Sequence, residues 1–359
     1  MKFPKALTQF LPYAKVFQTQ VMKNIDQFIE RLFEGFNPNQ RTVLAARFGL
    51  KTGLPATLQE VGDQLGITRE RVRQIQDQAM KRLKNRVKEE AASLIDFANE
   101  HLEKLGGVER DDAFMADLRK TYFKDSAPKH LEQKARFMFV TAGTPMAYKE
   151  DDAMNGFWYS SETAKKKFLE TVKQVTSFFR SNDKNELLRE KAYLASHKDF
   201  ITSHSFSIPK HFGENVFGDI GLREWPEIEP KTIRDKAYLV LRKHGKPLHF
   251  GDVARYINRY GIDKKAAHIQ TVHNELIKDD RFVLVGRGMY GLKEHGFAPG
   301  TVREVVARLL KKNGPLPSKD VVRLVNQERF LKENTILLSL QNRRYFKRLD
   351  DGRYHVKEA

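Results

Sequence analysis

Four side chains of types that can pair with DNA base edges fall close together in this sequence: Arg69, Glu70, Arg73 and Gln74. Arginine pairs bidentately with guanine, glutamine with adenine, and glutamate accepts from the cytosine amino group. A good bidentate pair is worth about 1–3 kcal/mol of discrimination. At 100° per residue, Val72, Ile75, Ala79 and Leu83 form a narrow apolar stripe, and the four polar residues lie on roughly the opposite face. They also occupy the first two turns of the segment, the part of a recognition helix that meets base edges. A merely solvated face would sooner carry Lys and Glu at salt-bridge spacing. The competing reading is a structural helical hairpin that happens to be basic. Candidate phosphate contacts are Thr68 and Arg71 at the N-terminus, where the helix dipole favours an anion, and Lys81, Arg82 and Lys84 farther along.

The elements that must hold these side chains are legible in the same stretch, TLQEVGDQLGITRERVRQIQDQAMKRLK, over Thr57–Lys84. Thr57 with Glu60 three residues later is a capping box, which starts a helix. That helix is expected to end near Leu65, where Gly66 supplies a tight turn and Thr68 caps the next helix. Two short helices joined by such a turn make a helix-turn-helix. The preceding NIDQFIERLFEGF reads as a further helix, equally a generic packing helix or a further part of the same module.

Composition agrees with a polyanionic partner. The 359 residues carry 64 Lys plus Arg against 46 Asp plus Glu, a formal charge of +18, which favours nucleic acid first and a membrane surface second. The absence of cysteine excludes disulfides and thiolate zinc sites. The start, MKFPKALTQFLPYAKVF, lacks the apolar run of a signal peptide, and no stretch is long and apolar enough to span a bilayer. A cytoplasmic protein is expected, with no membrane partner.

The C-terminal part repeats itself. TIRDKAYLVLRKHG from Thr232 and TVREVVARLLKKNG from Thr301 place Gly245 and Gly314 at the same offset, each after an amphipathic helix. Farther on, Thr271–Leu292 aligns without a gap with Thr335–Val356, matching Phe282 with Phe346, Gly288 with Gly352 and Tyr290 with Tyr354. Each copy reads helix, helix, helix, strand, glycine turn, strand, the layout of a winged helix. VFGDIGLREW at 216–225 resembles VGRGMYGLKEH at 285–295, and AMNGFWYSSE at 153–162 looks like another strand end after helical patterns near 90–105, 111–121 and 128–140. The expected architecture is therefore mainly α. A helix-turn-helix domain over 1–88 is followed by small winged-helix modules over 89–162, 163–230, 231–296 and 297–359, each with a short β-hairpin.

In the two C-terminal wings, basic residues alternate with aromatics. Arg281, Arg287, Arg343, Arg344, Lys347, Arg348 and Arg353 interleave with Phe282, Tyr290, Tyr345, Phe346 and Tyr354. The aromatics are expected to be core, because a wing strand covers the helices there. For the arginines, phosphate contact and plain solvation stand level. Other signals fail on inspection. Gly286, Gly288 and Gly291 spell G-x-G-x-x-G, but a dinucleotide fingerprint must open a helix, and these glycines sit inside a hairpin. His197, His204 and His211 recur every seven residues, but Pro209 and SHSFS break the helix that would align them. No metal, cofactor or small-molecule substrate is expected, and no catalytic triad or phosphate loop is found. Scattered acids such as Glu150, Asp151 and Glu162 form no recognisable nuclease set.

ARFGL at Ala46–Leu50, followed by TLQEVGDQLGITRERVRQIQDQAMKRLK, resembles region 4 of the sigma-70 family of bacterial transcription initiation factors. The likeness covers about residues 36–84, with TRERVRQI at Thr68–Ile75 its most specific string. It implies that the module reads a minus-35 promoter element, that Arg69, Glu70, Arg73 and Gln74 occupy base-reading positions, and that the partner is RNA polymerase, through the flap of its β subunit. Nothing here resembles region 2, which melts the minus-10 element. Lys231–Gly296 is similar to HARE-HTH winged helices, found also in the delta subunit of bacterial RNA polymerase, through RDKAYLVLRKHGKPLHFGDVARYI and RFVLVGRGMYGL. The second copy shares the likeness weakly. Three expectations follow. The first is a non-enzymatic, sequence-specific transcription factor on double-stranded promoter DNA. The second is a polymerase-associated protein holding nucleic acid without sequence choice. The third is an enzyme such as a nuclease, which would need a catalytic domain within 90–230.

Overall fold

The computed structural model describes residues 25–123, 128–191 and 193–357; the signal-peptide reading of the first residues lies outside them. By packing, the chain divides into one unit ending at Phe212 and a second beginning at Gly213.

In the first unit, α1 (Ile25–Leu32) and α2 (Pro38–Arg47) lead into α3 (Leu58–Leu65) and α4 (Arg69–Glu90). Asn37 caps α2 and Pro38 opens it, where its missing N–H costs nothing. With 22 residues, α4 is about 33 Å long at 1.5 Å per residue, and it serves two cores. Val72 in its N-terminal half meets Val43 and Val61 in a small cluster flanked by Ala46, Leu65, Ile67 and Ile75. Ala79, Leu83 and Val87 in its C-terminal half join a larger core that runs from Ile25 to Trp158. The expected division at residue 88 therefore falls in the last turn of a helix whose apolar face is shared between the segments on either side of it.

After α4 come α5 (Ala92–Lys104), β1 (Val108–Arg110), α6 (Asp111–Thr121), α7 (Leu131–Ala142), β2 (Met146–Tyr148) and β3 (Phe157–Tyr159), of which α5, α6, α7 and, through Trp158, β3 contribute to that larger core. The three strands form an antiparallel sheet in the order β1-β3-β2, with Val108 opposite Tyr159 and Tyr148 opposite Phe157. The strand expected within 153–162 is the central one, and all three of its residues are buried. After it come α8 (Glu162–Ser181), α9 (Lys184–Glu190), α10 (Tyr193–Ile201) and a short 3-10 turn at His204–Ser207. Phe179, Tyr193, Phe200, Phe206 and Phe212 pack ring on ring beneath them. The chain passes to the second unit through the hairpin of β4 (Phe212–Glu214) and β5 (Ile220–Leu222).

The second unit repeats one order of elements. The first copy has α11 (Ile233–His244), β6 (Leu248–His249), α12 (Phe250–Arg259), α13 (Ile269–Lys278), β7 (Phe282–Gly286) and β8 (Met289–Leu292), with strand order β6-β8-β7. Topologically this is the arrangement of α5 to β3. The second copy has α14 (Val302–Asn313), α15 (Ser318–Glu328), α16 (Glu333–Leu340), β9 (Phe346–Arg348) and β10 (Tyr354–Val356). A single bridge from Leu316 to Tyr354 stands in for the first strand. Gly288 and Gly352, equivalent in the sequence repeat, both take positive φ (67° and 83°) at the hairpin turns, a region open to glycine at no steric cost. Each copy has its own apolar cluster, and the two are fastened by Arg329. This side chain is 4% exposed and donates to the carbonyls of Leu284, Ala298 and Gly300. Beside it, Phe330 N–H donates to Val285 O at 2.8 Å, extending the edge of β7.

The fold is mainly helical with small antiparallel sheets, as the sequence predicts. Among the described residues, no helix is long and apolar enough to cross a membrane.

Candidate nucleic-acid interface

The capping box forms as expected. Glu60 N–H donates to Thr57 Oγ1 at 3.1 Å, and Thr57 N–H donates to Glu60 Oε2 at 2.6 Å. These bonds hold the Glu60 carboxyl below the usual carboxylate range. Gly66 closes α3 in the left-handed region at φ 66°, and Thr68 caps α4 by accepting from Arg71 N–H at 3.2 Å. A second glycine is as important, and nothing in the periodicity marks it. A Cβ on buried Gly62 would lie 2.6 Å from the Ile67 carbonyl oxygen, so the turn folds back on α3 only because position 62 has no side chain.

Arg47 adds a further tie that spacing did not reveal. It donates through Nε to Gln76 Oε1 at 3.0 Å and also bonds the carbonyl of Ala56, linking α2 to α4 and to the entry of α3. The positioning of the N-terminal half of α4 thus rests on one small apolar cluster, two caps, a close glycine contact and one bridging arginine, while its C-terminal half is held in the larger core.

Val72, Ala79 and Leu83 are buried and Ile75 half-buried, so the predicted stripe is the packed face, with Val87 continuing it. Arg69, Glu70, Arg73 and Gln74 are all exposed, as are Thr68, Arg71, Lys81, Arg82 and Lys84. The structure therefore brings Arg69, Glu70, Arg73 and Gln74 to one solvent face of the first turns of α4. It also shows how they are held in the free protein. Arg73 meets Glu70 through two bonds of 2.7 and 3.0 Å and Asp77 through one of 2.8 Å. Arg71 donates to Gln74 at 3.2 Å. The Glu70 carboxyl is held low by the Arg73 guanidinium, which is in turn held in its charged form by Glu70. This is the helical salt-bridge spacing that the sequence reading assigned to a merely solvated face, present alongside the base-pairing chemistry. Arg82 lies 4.5 Å from the ring centroid of Phe36, a cation–π contact that orients it.

On the wings, Arg287, Arg343, Arg344, Lys347, Arg348 and Arg353 are exposed, whereas Phe282, Tyr290 and Phe346 are buried and Tyr345 and Tyr354 half-buried. The aromatics are core or its margin. Arg281 differs from its neighbours: it is paired with Asp235 and Asp279 and lies over Tyr238 and Phe282, so it braces the fold. Arg353 is paired with Asp351 at 2.6 Å.

Gly286, Gly288 and Gly291 lie in the β7–β8 hairpin and open no helix. His197 sits at a break in α10, His204 in the 3-10 turn, and His211 shares a hydrogen bond with Thr176 at 2.8 Å, so the three histidines share no helix face. Of the scattered acids, Glu150 pairs with Lys210, Asp151 accepts from Tyr148, and Glu162 pairs with Lys165.

Comparison with known proteins agrees with this geometry. Residues 32–85 match the family described as Sigma-70, region 4. Residues 231–295 match the HARE-HTH family, whose description includes the ASXL and restriction endonuclease HTH domain. The chain is 38% identical over 69 residues to the RNA polymerase sigma factor SigA of Nostoc sp., over 19% of this chain and 18% of that protein. It is 38% identical over 60 residues to the RNA polymerase sigma factor sigB of Arabidopsis thaliana, over 17% of this chain and 10% of that protein, and 36% identical over 69 residues to SigA of Microcystis aeruginosa, over 19% and 17%. The chain thus spans less than a fifth of the length of these relatives. The likeness belongs to the helix-turn-helix, a sigma-like, DNA-binding type of region.

Proposed function

We propose that this protein is a sequence-specific, non-enzymatic transcription factor whose α4 enters the major groove of a minus-35-like promoter element. Arg69, Glu70, Arg73 and Gln74 read base edges, while Thr68, Arg71, Lys81, Arg82 and Lys84 hold phosphates. The observation that carries this reading is the exposure of all four base-pairing side chains on one face of the first turns of α4, within the stretch that matches Sigma-70, region 4. The partner in this reading is RNA polymerase, reached through the β-subunit flap as the resemblance to region 4 implies. Segments 89–162, 163–230, 231–296 and 297–359 act as winged modules on flanking DNA or on polymerase, where Arg287, Arg343, Arg344, Lys347, Arg348 and Arg353 meet phosphates. Several weak contacts in series gain avidity over one.

Titration of the full chain against a duplex carrying a minus-35-like element, and against the same duplex scrambled, tests this. Tighter binding to the ordered element is the expected result; equal binding removes sequence reading from the account. Equal binding together with capture of core polymerase in the absence of DNA would instead support the second reading, a polymerase-associated protein without sequence choice. The formal charge of +18, which attracts polyanions without regard to sequence, favours that alternative.

A further inference from the structure

Away from the reading helix, the first unit holds a cluster that neither the function above nor the sequence periodicity accounts for. His101 near the end of α5, Glu109 in the middle of β1 and Asp117 on α6 turn toward one another, with one ligating atom from each residue lying within 4.8 Å of the others. His101 Nε2 is 3.0 Å from Glu109 Oε2 and 3.5 Å from Asp117 Oδ2. Glu109 is fully buried, at 0% exposure. Its other oxygen, Oε1, is also buried and has no hydrogen-bond partner among the described residues.

This arrangement is costly without a cation. A buried carboxylate with an unpaired oxygen is penalised for lost solvation, and a second acid beside it adds repulsion. Burial, with Asp117 contributing, pushes the Glu109 carboxyl up to about 7. Nearby charges divide in their effect: Asp112 also raises Glu109, whereas His204 on the 3-10 turn lowers it. His101 is pushed down, chiefly by burial and further by Lys104, with Asp117 opposing.

We propose that His101, Glu109 and Asp117 form a binding site for a divalent transition-metal ion, with zinc the probe of choice. The donor set selects the class: an imidazole nitrogen with carboxylates suits zinc and its neighbours, whereas magnesium and calcium prefer oxygen alone. The spacing suits it too. Bonds of about 2.0–2.2 Å in tetrahedral geometry put ligand atoms roughly 3.3–3.6 Å apart; the His101–Asp117 separation of 3.5 Å falls in that range and the His101–Glu109 separation of 3.0 Å lies slightly below it. Phe97 and Phe114, with ring centroids 6.4 and 6.1 Å from that of His101, supply an apolar shell of the kind that limits solvent access. Three protein ligands leave one position to water. The ion would fasten α5, β1 and α6, of which the two helices share a core with the second half of α4.

The test uses the full chain, stripped with a chelator and then titrated with zinc. Metal content is measured after gel filtration, together with the melting temperature. We expect one retained zinc per chain and a melting temperature that rises with zinc concentration, as for any ligand of the folded state. Glu109→Gln and Asp117→Asn should each weaken binding by at least about 100-fold. Asp117 has a side chain 38% exposed, so its variant keeps the test decisive if Glu109→Gln fails to fold, with far-UV circular dichroism as the check. Cobalt in place of zinc should give ligand-field absorption that Asp117→Asn abolishes. Failure of the wild type to retain zinc, or zinc uptake and thermal shift unchanged in Asp117→Asn, overturns the proposal.

Discussion

The sharpest consequence of the reading-helix geometry concerns Arg73. In the free protein its guanidinium is held by Glu70 and Asp77, all three side chains being about half exposed. Exposed pairs at this spacing contribute little, so exchanging them for a guanine edge is cheap beside the gain from a bidentate base contact. Arg73→Ala should therefore cost about 5- to 150-fold in preference at one base position, the equivalent of one bidentate pair, and leave binding to unrelated sequence nearly unchanged. Arg73→Lys separates charge from geometry: it keeps the cation but loses the planar fork. It should lose most of the base preference while keeping the salt dependence of the wild type. Selection from a randomised duplex library, followed by salt titrations on the winning and scrambled sequences, reads both quantities. Base reading by Arg73 is ruled out if Arg73→Ala weakens every sequence equally and lowers the log–log salt slope by about one, the signature of a lost phosphate contact.

Three further outcomes follow from the packing. Gly62→Ala places a Cβ 2.6 Å from the Ile67 carbonyl oxygen; overpacking should outweigh the helix-propensity gain and destabilise the helix-turn-helix by about 1–2 kcal/mol in denaturant unfolding, and a more stable variant would contradict the close contact. Arg329→Met removes the donor to three main-chain carbonyls and should cost the second unit about 2–4 kcal/mol, with hydrogen exchange rising first around Val285 and Phe330; a change under about 0.5 kcal/mol, the usual range for surface substitutions, would argue that Arg329 is incidental. Asp279 is held below the usual carboxylate range, first by hydrogen bonds from Arg281. Its contribution is full at neutral pH and is lost as pH falls below about 4, so acid titration of Arg281→Gln should show a smaller loss in that window than the wild type.

Much of this was legible in the sequence because local rules and tertiary structure agree there. Thr57, Glu60, Gly66 and Thr68 mark helix ends through bonds made within a few residues. Val72, Ala79 and Leu83 share a face because the helix period puts them there. The repeat in the second unit survives as matched hairpin glycines, Gly288 and Gly352. What was not legible depends on contacts far apart along the chain. The sharing of α4 between two cores follows from its packing on α7, which no periodicity announces. Gly62 looks like any helical glycine until Ile67 folds back over it. Arg329 reads as one of many surface cations, yet it is buried. The His101, Glu109 and Asp117 cluster was hidden for the same reason: its members carry no motif spacing, and a helix, a strand and a second helix bring them together.

The role proposed for this protein is that of a sigma-like reading helix acting at promoters. Genome-wide DNA occupancy of the full chain beside that of RNA polymerase, in the cell that makes it, tests this most directly. Coincident peaks at promoters are expected, centred on a shared minus-35-like sequence and dispersed by Arg73→Ala with Gln74→Ala. Occupancy spread without regard to promoters or polymerase, and unchanged by that double substitution, would contradict that role.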